Sequence, residues 1–100
     1  MKDLKKQFEE ELFALAERTY AETNYNPKRF KNLIKEHGGV GTAKNLLGSN
    51  KQEEGYIKLL QLGRLDLTME YFIVNTPQYH SLFTEKELKK ALQLCPNEDK

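Results

Sequence analysis

One cysteine, Cys95, and two histidines, His37 and His80, are all that 100 residues contain of the softer metal ligands. A lone thiol makes neither an internal disulfide nor a cysteine-based structural zinc site, and two imidazoles do not supply the missing ligands. No metal and no cofactor is expected. The chain also lacks any run of about 18 apolar residues, and its start, MKDLKKQFEEEL, has no apolar segment behind the lysines. Neither a membrane span nor a signal peptide is therefore expected, and a cytoplasmic location follows. An excess of one charge is missing too: 16 Lys+Arg stand against 15 Asp+Glu, a formal charge of +1, so bulk charge names no partner. Repeats and low-complexity stretches do not occur. What is present, 38% hydrophobic and 31% charged residues, suits one globular unit, expected over residues 1–96 with a frayed tail at 97–100.

Apolar spacing points to helices. Leu4, Phe8, Leu12, Leu15 and Ala16 recur at steps of three and four across residues 3–20, with Glu9, Glu10, Glu17 and Arg18 on the other side, the pattern of an amphipathic helix. After a turn at Thr23 to Pro27, Asn26 is expected to cap a second helix, with Pro27 suited to its first position. Phe30, Leu33, Ile34 and His37 form its inner face, and Gly38 and Gly39 are expected to stop it. A short helix over residues 40–47 turns Val40, Ala43, Leu46 and Leu47 inward. Another over 52–62 puts Tyr56, Leu59 and Leu60 on the same face as Gly63, which is expected to close the helix and to admit a neighbour closely.

Residues 64–67 alternate like a strand but have no partner strand. Thr68 is a cap for a helix over 69–75 with Glu70 in its first turn, although Phe72, Ile73 and Val74 leave a short strand as the competitor. Pro77 opens a single turn carrying Tyr79, Leu82 and Phe83. Thr84 and Glu87 have capping-box spacing, and Leu88, Ala91, Leu92 and Cys95 follow at i, i+3, i+4 and i+7 before Pro96. The predicted fold is all-α, a compact irregular or orthogonal bundle of about five to seven helices, several of them short.

Chemistry-bearing patterns are few. Glycines 38, 39 and 41 followed by Thr42 and Lys44 suggest a phosphate cradle, but the P-loop order of Gly, Lys, then Ser or Thr is absent and no strand precedes them. A helix-turn-helix register through Gly39 puts Asn45 and Gly48 where apolar anchors belong. Residues 26–50 nevertheless carry Lys28, Arg29, Lys31, Lys35 and Lys44 against Glu36 alone, a set suited to nucleic-acid phosphates. Arg64, Asp66, Thr68 and Glu70 form a structural polar cluster at a helix start. A hydrolytic set of Asp66, Glu70 and His80 requires that the three meet in one cleft. Cys95, on an apolar face, is expected to be inert.

The series Tyr25-x-Pro27-x-x-Phe30, Gly38-Gly39-Val40, Ala43-x-x-Leu46-Leu47, Gly55-Tyr56, Leu65-Asp66-Leu67-Thr68-x-Glu70, Leu82-Phe83-Thr84 and Glu87-Leu88-x-x-Ala91 resembles a family of small bacterial all-helical domains. That family occurs alone or joined to other domains, sometimes beside restriction or other DNA-acting enzymes, and has no established activity or catalytic residues to carry over. The resemblance implies the helical fold and an association with DNA. The reading that follows is a non-enzymatic accessory or protein-interaction domain with a protein partner. The alternative is a nucleic-acid-binding domain using the basic segment 26–50. Tyr20, Tyr25, Tyr71 and Tyr79 suit either an interface rim or the edge of the core, and oligomeric state is not specified.

Overall fold

The computed structural model describes residues 3–49 and 54–95. Helix α1 spans Leu4–Thr23, α2 Lys28–Gly48, α3 Glu54–Gln61, α4 Met69–Val74 and α5 Glu85–Leu94, with 3₁₀ turns at Leu65–Leu67 and Pro77–Leu82. No strand occurs among the described residues, so the all-α expectation holds and residues 69–74 are helix. The radius of gyration is 12.6 Å, against about 13 Å for a 100-residue globule. No described helix is long and apolar enough to cross a membrane. The expected tail at 97–100, the helix stop at Pro96 and the helix start at Gln52 lie outside the described residues.

Local signals account for most boundaries. Asp3 starts α1 by accepting the Lys5 N–H at 3.1 Å, and Asn24, in left-handed conformation (φ 66°), ends it. Thr68 caps α4 by accepting the Tyr71 N–H, and Thr84 and Glu87 complete the capping box of α5. Gly63 closes α3 with φ 72°. The Arg64 N–H reaches the Leu59 carbonyl at 2.8 Å and the Gly63 N–H the Leu60 carbonyl at 3.1 Å, the paired bonds of a Schellman motif.

Several expectations need correction. Asn26 does not cap α2: Pro27 takes the cap position, the helix begins one residue later, and the buried Asn26 Oδ1 has no hydrogen-bond partner. The helix stop expected at Gly38 and Gly39, by contrast, holds: α2 is two helical segments that meet at a kink where Gly38 takes φ 80° and ψ 167°, a region open essentially to glycine alone. Gly63 has open space around it and admits no neighbour. His37 is exposed beside Glu36, not on the inner face. Leu60 and Leu92 are 48% and 46% exposed; each sits at the outer edge of its apolar arc, and the buried arcs centre on Tyr56 with Leu59 and on Ala91 with Cys95.

The core is built around Phe8, which is fully buried and packs on Phe72, Tyr79 and Phe83 with ring centroids 5.7, 5.2 and 5.5 Å away. The latter two meet it edge to face, the favourable quadrupole arrangement. Tyr79 is buried completely and donates its hydroxyl to Glu11 at 2.6 Å, so it is core and not interface rim. Helix α1 packs mainly on α2, and α4 on α5.

Candidate functional site

A cavity lies where four elements converge. Ala16 and Thr19 from α1, Tyr25, Pro27, Arg29 and Phe30 at the entry to α2, Gly55, Tyr56 and Leu59 from α3, and Leu67 to Glu70 at the start of α4 surround about 60 Å³. Local bonds position these walls. Thr19 and Thr23 turn their hydroxyls back to the carbonyls of Leu15 and Thr19, and the Thr23 hydroxyl then accepts the Tyr25 N–H at 3.1 Å, drawing the chain across the end of α1. Tyr56 is held by donating to the Leu94 carbonyl at 2.7 Å.

Glu70 lies on this wall only 5% exposed. Beneath it, the Thr68 hydroxyl donates to the Leu65 carbonyl at 2.7 Å. Its single proton is thereby used, so the Cys95 thiol, 3.1 Å away, is the donor to Thr68 Oγ1. Burial, together with the negative charge of Glu70, pushes the Cys95 thiol up, so it stays protonated. Burial likewise raises the Tyr56 phenol, with the charge of Glu70 adding to it.

The structural polar cluster expected at Arg64, Asp66, Thr68 and Glu70 divides into separate parts. Arg64 grips Asp66 with two bonds of 3.0 Å and reaches Glu22 on α1 at 2.6 Å. Arg18, unremarked beyond its place on the polar side of α1, bonds the other Glu22 oxygen at 2.6 Å. Two arginines and two carboxylates thus tie the end of α1 to the 3₁₀ turn. The Arg18 and Arg64 bonds hold Glu22 below the usual carboxylate range. Arg64 does the same for Asp66 against an opposing burial effect. Thr68 is a cap, and Glu70 belongs to the cleft.

The basic segment is divided as well. Lys31 pairs with Glu17 at 3.0 Å and Lys44 with Glu87 at 2.8 Å, the latter ammonium also lying 5.4 Å above the Phe83 ring. Glu87 Oε1 accepts both Lys44 and the Thr84 N–H, so the α5 capping box doubles as the clasp between α2 and α5. Burial works to raise the Glu87 carboxyl, but these bonds outweigh it and hold the group low. Lys28, Arg29 and Lys35 are exposed on α2.

The glycine segment has an occupant of its own. Glu9 Oε1 accepts the Gly39 N–H at 3.0 Å, so a carboxylate from α1 already sits at the restart of α2, where a phosphate would otherwise find N–H groups. The hydrolytic set does not assemble: Asp66 is held by Arg64, His80 Nε2 lies 2.9 Å from the Ile73 carbonyl, and neither lines the cleft that contains Glu70. Among the described residues no three His, Cys, Asp or Glu side chains form a group able to hold a metal ion.

Sequence reasoning passed over three features: the Glu9 contact, the Arg18 and Glu22 half of the ionic network, and the outer face of α3. On that face Ile57 and Leu60 are 40% and 48% exposed, and Leu62, just past the helix end, is 42% exposed. Half of the large apolar side chains most exposed among the described residues thus come from one six-residue stretch, a concentration readable only once the opposite face is known to be buried. No protein-family model, curated protein or solved structure matches this chain.

Proposed function

We propose that the chain is a non-enzymatic protein-interaction domain that meets its partner through the outer face of α3. The observation that carries this reading is the clustering of Ile57 and Leu60 on an eight-residue helix, with Leu62 just past its end, while the inner residues Tyr56 and Leu59 are already satisfied by the core. Single exposed aliphatic side chains are ordinary on a protein surface, whereas grouped ones mark contact sites. The test compares the wild-type chain with an Ile57→Lys, Leu60→Lys double variant in quantitative capture from a bacterial lysate. The variant is expected to melt with the wild type and to lose the retained partner; a partner retained equally by both would remove α3 from the reading.

Nucleic-acid binding has one observation in its favour, the placement of Lys28, Lys31 and Lys35 at i, i+3 and i+7 on one stripe of α2. With Lys31 and Lys44 engaged by acids and Arg29 also partnered, Lys28 and Lys35 remain for phosphates. The logarithmic salt slope on duplex DNA is then about −2 at most. Steep, submicromolar binding in a gel-shift series would favour this second reading over the first.

A further inference from the structure

We draw no further inference here: the strongest candidate, the apolar outer face of α3 at Ile57 and Leu60 with Leu62 just past the helix end, belongs to the site already described, and nothing in the structure shows what covers it.

Discussion

Gly39 shows how a single hydrogen atom in place of a methyl group sets the distance between two helices. A Cβ there would lie 2.7 Å from Glu9 Cα and 2.9 Å from Glu9 Cβ, and the nearer of these is backbone that cannot rotate away. Gly39→Ala must therefore push α1 from α2 and disturb the bond from the Gly39 N–H to Glu9. The expected cost is about 1–3 kcal/mol, the range of overpacking in a tight interior, and each kcal/mol lowers Tm by about 4–8 °C in a domain of this size. Gly48→Ala is the control, because nothing lies within 4 Å of its added methyl and alanine loses less chain entropy there. Thermal melts by circular dichroism should rank Gly39→Ala well below wild type and Gly48→Ala level with it or above. Equal melting of the two variants would contradict the close approach.

At the level of elements, the sequence discloses what is settled within a few residues of the chain. Thr84 with Glu87, Thr68 before Met69, and glycine at positions 38 and 63 act on their own backbone neighbours; local spacing was enough to place them. Asn26 failed because α2 starts one residue later than its spacing suggests, which leaves Pro27, expected at the first helical position, at the cap without a side-chain bond. The inner faces of α3 and α5 were legible in Tyr56, Leu59, Ala91 and Cys95, but the width of each buried arc depends on what packs opposite, and Leu60 and Leu92 fell outside it. Of the cleft, Glu70 was noticed and its destination was not, since the walls come from segments up to 54 positions apart in sequence, Ala16 and Glu70 among them. The ionic network between α1 and the 3₁₀ turn is the element-scale contact most open to test. Arg64→Ala removes both bonds to Asp66 and the bond to Glu22. Its members are partly exposed, so salt screens what they contribute. The variant should melt a few degrees below wild type in low salt, with the gap narrowing in molar sodium chloride. An unchanged melt in low salt would mean that Arg64 serves a ligand and not the fold.

Over the whole molecule, the shifted groups make stability depend on pH in opposite senses at the two ends of the scale. Glu22, Asp66 and Glu87 have carboxyls held low in the folded chain by Arg18, Arg64 and Lys44. A depressed folded pKa means that the unfolded chain binds protons first, so the stabilisation is whole above the unfolded value, about 4, and is lost as pH falls through the folded value. The Cys95 thiol and the Tyr56 and Tyr79 phenols shift upward, each chiefly through burial. Their contribution is whole below the unfolded values, roughly 8.5 for the thiol and 10 for the phenols, and fades as pH rises past them because the unfolded chain then releases protons first. Tm should accordingly be level between about pH 5 and 8 and fall on both sides. The acid fall should be reduced in Arg64→Ala, which has already lost the main partner of Asp66 and one of the two arginines on Glu22, whereas the alkaline fall should be unaffected by that substitution. Melts of the two proteins from pH 3 to 10 separate the contributions, and an identical acid limb in both would show that the α1 network has no part in it.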